Sequence, residues 1–202
     1  MPDGLNEASA RRAPPNIVGV LLAAGRSVRF GDNNKLLQDF GGQPLCRYAA
    51  QAMLGAGLSA NIAVVREDAV AAQLAGFEIF PCSDQQSDSL KTGVRAAMAR
   101  GADQIVICLA DMPFVTSGLI AEVIARGRPI CGCVSSGGGI SPPAVFHRER
   151  FDDLLALTGD KGAGALLKSL PAEAVVSTHV AALVDLDHFA DFATYAAYLE
   201  GP

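Results

Sequence analysis

Apolar runs alternate with stretches of helical period along most of the chain. NIVGVLLA (16–23) is continuously apolar rather than alternating, as a strand buried on both faces requires. PLCRYAAQAMLGAG (44–57) follows as a helix, with Pro44 in its first turn and a glycine, Gly55 or Gly57, near its end. NIAVVR (61–66) reads as a strand, EDAVAAQLAG (67–76) as a short helix and FEIFPC (77–82) as a third strand. SDSLKTGVRAAMARG (87–101) has the period of a helix, started by Ser87 or Asp88. DQIVICLA (103–110) is another buried strand, and TSGLIAEVIARG (116–127) a helix capped by Thr116 or Ser117. The order β-α-β-α-β-α-β-α predicts an α/β fold, a single doubly wound and mostly parallel sheet flanked by helices.

The rhythm changes after residue 128. PICGCVSSGGGISPPAVF (129–146) contains a strand, a triple-glycine loop and a Pro-Pro pair. Pro142 and Pro143 carry no donor N–H, so they are expected at an edge or in a loop, not in a central strand. Two short helices (148–157 and 162–169) are expected next. AEAVVSTH and AALVDL then read as two final strands in a hairpin around His179, and DHFADFATYAAYLEG as a closing helix. This late part reads as an insertion or cap beside the same sheet.

Composition narrows the class. Half of the 202 residues are hydrophobic and 18% are charged, which suits one compact domain over residues 16–202. Residues 1–15 are polar and end in Pro-Pro, and read as a disordered leader. A formal charge of −5 argues against nonspecific nucleic-acid binding. No stretch approaches the roughly 18 consecutive apolar residues of a membrane span, and no signal-peptide core precedes Ile17. A cytoplasmic protein is the expectation. The five cysteines form no CxxC pair, and Cys131 and Cys133 share one face of a strand; buried free thiols are expected rather than a metal site. His147, His179 and His188 are scattered and are expected at surface or loop positions.

The candidate chemistry lies where the first strand ends. Leu22, Ala23, Ala24 and Gly25 run into a loop holding Arg26, Ser27, Arg29, Gly31 and then Lys35. Glycines let backbone N–H groups approach a ligand closely, and three cations suit a triphosphate. Neither the Walker pattern nor GxGxxG is present. Asp111, in CLADMPFV (108–115), also follows a buried strand, where a carboxylate can hold Mg2+ against phosphate oxygens.

The run L-A-A-G-R-S-x-R-F-G-x-x-x-K, Leu22 to Lys35, resembles the signature loop of the MobA-like nucleotidyltransferases, and within them the CTP:molybdopterin cytidylyltransferase branch. The resemblance spans residues 17–200. It implies that Arg29, Lys35 and Asp111 are catalytic, and that Leu22, Ala23, Ala24, Gly25, Arg26, Ser27 and Lys35 bind nucleotide. SDQQSDSLKTG (83–93) resembles the family segment for base and ribose, implying Ser87, Ser89 and Gly93; the serines are equally ordinary helix caps. SPPAVF (141–146) and TGDKGAGALL (158–167) resemble two further segments, implying Pro142, Pro143, Gly159, Asp160, Lys161 and Gly162 around the acceptor. Gly164 stands where the family often has Arg. LVDLDHFADF (183–192) resembles D-[IL]-D-T-P-E-D-[LY], with His188 for Thr and Phe189 for Pro. It implies that Mg2+ is held by Asp111 and Asp185, with Asp187 the alternative to Asp185. Residues 16–128 would then serve the nucleotide and 129–202 the acceptor.

The implied reaction needs no general base. A phosphate monoester, already ionised near neutral pH, attacks the α-phosphorus of a nucleoside triphosphate and pyrophosphate leaves, so positioning and charge neutralisation suffice. The expected product is molybdopterin carrying a nucleotide, CMP from CTP. GTP, or another acceptor such as a sugar phosphate or methylerythritol phosphate, is the alternative enzyme reading. A non-catalytic protein delivering nucleotide or molybdenum cofactor to an apo-molybdoenzyme or its chaperone is the alternative of a different class.

Overall fold

A computed structural model describes residues 13–25, 34–82, 86–159 and 161–199. Its frame is a seven-stranded sheet in the order β5-β4-β1-β6-β8-β7-β9. The strands are β1 (Ile17–Ala23), β4 (Ala60–Val65), β5 (Glu78–Pro81), β6 (Gln104–Leu109), β7 (Ile130–Ser135), β8 (Ser141–His147) and β9 (Val175–Thr178). β1 pairs in parallel with β4 and β6, β4 with β5, and β7 with β9; only β8 runs the other way, antiparallel to β6 and β7. The expected mostly parallel, doubly wound sheet is what forms.

Strand alternation sends side chains to two cores. Leu21, Ala23, Ala63, Val65, Val106 and Cys108 face one layer with α1 (Cys46–Leu54) and α4 (Ser117–Ala125). Val18, Val20, Ile62, Val64, Ile105 and Ile107 face the other, with α3 (Gln86–Ala99) and α5 (Phe151–Ala156). Because both faces are covered, strands read as continuous apolar runs. Each fully buried aliphatic such as Leu90 or Val94 on α3 contributes about 1.5–3 kcal/mol of burial. Gly93 lies between them, and a Cβ there would stand 2.4 Å from Val20 Cγ1 and 3.3 Å from Val64 Cγ2. Its missing side chain lets α3 settle on β1 and β4.

Several expectations are corrected. Pro44 is not in a helix: it lies in β3 (Gln43–Pro44), paired with β2 (Asp39–Phe40) around Gly41 and Gly42, both at positive φ. The two glycines make the tight hairpin. The helix expected at 67–76 is the single turn α2 (Asp68–Ala71), and Thr116 rather than Ser117 caps α4, accepting from Leu119 N at 3.1 Å. Ser87 and Asp88 do not cap α3 but lie inside its first turn.

Pro142 and Pro143 sit in an interior strand, not at an edge. The β6–β8 ladder stops at the Ile107–Ala144 pair, and the β7–β8 register shifts between Cys131 and Cys133. The missing N–H groups therefore fall where no ladder bond is required. The expected C-terminal hairpin does not form. β9 takes the first run, a 3-10 turn at Val180–Leu183 takes part of the second, and His179 Nδ1 accepts from Ala181 N at 3.3 Å. The late region is no cap beside the sheet: β7, β8 and β9 extend it. All five cysteines are free, four of them buried as expected, with Cys82 half-buried.

Candidate active site

The strand order reverses at β1, with β4 and β5 on one side and β6 on the other. At such a switch point the connections leave in opposite directions and open a crevice beyond the carboxyl ends of the strands. Leu22 and Ala23 end β1 there, and Ala24 and Gly25 follow. Ala110 N donates to Leu22 O at 3.1 Å, extending the β1–β6 pairing one step and delivering Asp111 to the mouth of the crevice. β8 runs in reverse, so Pro142 and Pro143, at its start, lie on this same edge.

Lys35 opens a short 3-10 turn, Lys35–Leu37, whose first amide is held by Asn34: Leu36 N donates to Asn34 Oδ1 at 2.9 Å. The lysine is 8% exposed. Its Nζ donates to Asp111 Oδ2 and to Asp187 Oδ1, both at 2.8 Å. Burial pulls the Lys35 pKa down, but Asp111 and Asp187 outweigh it and the net shift is upward. The ammonium therefore stays charged at neutral pH.

Asp187 reaches Lys35 through two supports. Leu186 is fully buried, and its N–H donates to Asp111 O at 3.1 Å. Asp191 Oδ2 then accepts from Asp187 N at 2.8 Å and His188 N at 2.7 Å, closing the start of α7 (Phe189–Tyr195). Asp185 lies one residue before Leu186 and is exposed. Its carboxyl is pushed above its ordinary value, first by the protein atoms crowding it, then by the negative charges of Asp187 and Asp111. With all three carboxylates ionised and one ammonium, the cluster carries a net charge of −2.

That charge excess, and one orphaned atom, fit a divalent cation. Asp111 Oδ1 is buried and has no hydrogen-bond partner among the described residues. Among those residues no group of three or more His, Cys, Asp or Glu is placed to hold a metal alone. Mg2+ does not need such a cage: it usually takes one or two carboxylates and fills its octahedron with water and substrate phosphate oxygens.

The expected residues distribute unevenly. Lys35 and Asp111 come together. Arg26, Ser27, Arg29 and Asp160 lie outside the described residues. Ser87 and Ser89 are buried in the first turn of α3, and Ser87 N donates to Gly159 O at 3.2 Å, so the 83–93 and 158–167 segments touch. Gly93 is accounted for by its packing on Val20. Gly162 is half-buried and Lys161 exposed, ahead of α6 (Gly164–Leu167), which is a single turn. Two contributors escaped sequence reasoning. Arg66 Nε donates to Ala24 O at 3.3 Å, bracing the base of the glycine loop; its place at the end of the second strand was the available signal. Asp191 was legible only as a capping-box acid three residues after His188.

A family model described as the MobA-like NTP transferase domain matches residues 19–175. Purine catabolism protein PucB of Bacillus subtilis is 31% identical over 169 residues, covering 77% of this chain and 82% of that protein. A probable molybdenum cofactor guanylyltransferase of Haloferax mediterranei is 30% identical over 157 residues, 70% of each chain. Among solved structures, Rv0371c from Mycobacterium tuberculosis superposes with a TM-score of 0.77 at 28% identity, covering 90% of this chain and 98% of that one. A manganese complex of Rv0371c superposes with a TM-score of 0.69, also at 28% identity, over 93% of this chain and all of that one. With the carboxylate–lysine cluster at the switch point and a family match over most of its length, the chain belongs to the MobA-like NTP transferase family and is a nucleotidyltransferase.

Proposed function

We propose that the chain transfers a nucleoside monophosphate from a nucleoside triphosphate to the phosphate of molybdopterin, releasing pyrophosphate. The observation that carries this reading is the cluster at the β1/β6 switch point. There Lys35 lies 2.8 Å from Asp111 and from Asp187, with Asp111 Oδ1 left unsatisfied among the described residues. Asp111, with Asp187 or Asp185, would hold Mg2+, which neutralises charge on the triphosphate when bound. Manganese in the Rv0371c structure supports a divalent ion at such a fold.

The chain's own residues orient and neutralise. Arg66 holds the Ala24 carbonyl just beyond the carboxyl end of β1. Lys35, Arg26 and Arg29 supply positive charge against the triphosphate. The ionised phosphate of molybdopterin attacks the α-phosphorus in line, a new P–O bond forms, and the bond to the leaving pyrophosphate breaks. No side chain has to remove a proton from that nucleophile.

CTP is the favoured nucleotide, on the likeness of SPPAVF and TGDKGAGALL to the cytidylyltransferase branch. GTP is the second reading, supported by the relatives named molybdenum cofactor guanylyltransferase in Haloferax mediterranei and Cereibacter sphaeroides. Pyrophosphate release is measured with CTP or GTP, Mg2+, and either molybdopterin or a sugar phosphate. Release that depends on CTP and molybdopterin is the expected result. Release with GTP alone moves the specificity, release with the sugar phosphate moves the acceptor, and tight binding without release leaves a delivery protein. Among the described residues no helix is long and apolar enough to cross a membrane.

A further inference from the structure

We propose that Lys35 is a built-in counter-ion, holding the place between Asp111 and Asp187 until a divalent cation takes it. The inference deepens the nucleotidyltransferase reading and rests on it for where Lys35 goes next.

The ammonium lies 2.8 Å from one oxygen of each carboxylate. A divalent ion shared by those oxygens would sit at about 2.1 Å from each. The two cations compete for the same electrons and repel one another at that separation. Charge makes the exchange one-for-one. Asp111, Asp187 and Lys35 sum to −1; with a divalent ion in place of the ammonium, the two carboxylates are neutralised and Lys35 gives up both of them as partners. Neither state is favourable alone, because a displaced lysine near a bound metal needs a new anion. A triphosphate arriving with its metal supplies both the cation for the carboxylates and the anion for the lysine. The free protein thus takes up metal poorly, and metal enters with nucleotide. The supports of Asp187, through Leu186 and Asp191, keep the carboxylates in position during the exchange.

The test is Mn2+ binding without nucleotide or acceptor, read by electron paramagnetic resonance of the free ion. Lys35→Ala should bind Mn2+ about tenfold more tightly than the wild type, while Lys35→Arg stays close to it. The same Lys35→Ala variant should bind CTP–Mn2+ more weakly, so that the two affinities move in opposite directions. Equal Mn2+ affinity in Lys35→Ala and wild type overturns the proposal, because the metal then uses Asp111 Oδ1 without displacing anything. Should Lys35→Ala fail to fold, acetylation of Lys35 in the wild type, followed by mass spectrometry, decides instead. Labelling should speed up several-fold when Mn2+ alone is raised to saturation, and an unchanged rate at saturation overturns the exchange. None of these readouts requires turnover. A failure of pyrophosphate release would refute the proposed function and leave the metal–lysine competition separately measured.

Discussion

Leu186 N donates to the carbonyl oxygen of Asp111 at 3.1 Å, and this bond joins two carboxylate-bearing segments from distant parts of the chain. Asp111 arrives from the end of β6, while Asp185 and Asp187 flank the buried Leu186. The apolar side chain anchors the segment in the core and the flanking acids are left at the crevice. Asp111→Asn should leave the protein folded, since Asn is nearly isosteric and Lys35 keeps Asp187 as a partner. Metal-dependent turnover should fall by about 100-fold, equivalent to roughly 2.7 kcal/mol of transition-state stabilisation. Circular dichroism with a pyrophosphate-release assay checks both halves. Near-normal turnover would reduce Asp111 to a turn residue.

Asp187, not Asp185, makes the second ion pair with Lys35. Asp187→Asn should therefore damage metal-dependent turnover more than Asp185→Asn, by about tenfold. Asp191→Ala should mimic a milder Asp187 defect, because it releases the two amides at the start of α7. Losing such a cap costs about 1 kcal/mol of local stability. Steady-state kinetics on the three variants rank them, and an Asp185→Asn defect larger than that of Asp187→Asn would reverse the assignment.

Much of this was legible in the sequence, and what was not has identifiable causes. The runs 16–23, 61–66 and 103–110 had to be parallel strands because both sheet faces are covered. Lys35 and Asp111 could be named because Lys35 closes a loop that resembles the family signature and Asp111 directly follows such a run. Asp185 was put ahead of Asp187 on the family motif, and alternation could not test that choice, because it places both on the side opposite Leu186. Only the tether to Asp111 and the Asp191 cap separate them. Pro142 and Pro143 misled because a proline's missing donor says nothing about whether the neighbouring ladder reaches it, and here it stops at Ala144. The C-terminal AALVDL looked like a strand by hydropathy, but a 3-10 turn at Val180–Leu183 takes its start and Leu186 N bonds to Asp111 O, beyond β6, rather than to a ladder on β9.

Gly93 separates packing from binding. A Cβ at this position would lie 2.4 Å from Val20 Cγ1, too close for β1 and α3 to keep their spacing. Gly93→Val should destabilise the fold by about 1–3 kcal/mol. Nucleotide affinity of the folded fraction should stay within twofold of the wild type. Urea unfolding and a nucleotide titration test this; an affinity loss without a stability loss would restore a direct role in binding.

Four buried thiols make stability fall at alkaline pH. Burial pushes Cys46 up to about 11, against an ordinary value of 9.0. Burial, with Cys131 and Glu122 nearby, pushes Cys133 up to about 12. Cys108 and Cys131 are raised in the same direction, chiefly by burial. Below pH 9.0 folded and unfolded chains both keep these protons, so the stabilisation is intact. Above it the unfolded thiols ionise first, and stability declines toward pH 12 as the native ones follow. Unfolding midpoints in urea should therefore drop between pH 8 and pH 10.5. At pH 8 Cys82, the half-buried thiol, should react with a thiol reagent well before the other four.

The segment at 159–162 should serve the acceptor through the charge of Lys161. α6 behind it spans only Gly164–Leu167, a single turn whose aligned dipoles are too few to hold a phosphate dianion. Lys161 is exposed, and the contact of Gly159 O with Ser87 N anchors the turn from which it projects. Lys161→Ala should raise the KM for molybdopterin by about tenfold, the loss of one charge-assisted contact of roughly 1.5 kcal/mol. Nucleotide affinity should change by less than twofold. The contact with Ser87 makes the opposite outcome informative, because it ties this turn to the helix proposed to meet the base. Titration with CTP alone, then with molybdopterin at saturating CTP, separates the two substrates. If Lys161→Ala weakens CTP and leaves the molybdopterin KM unchanged, the turn belongs to the nucleotide, and the division between residues 16–128 and 129–202 does not hold.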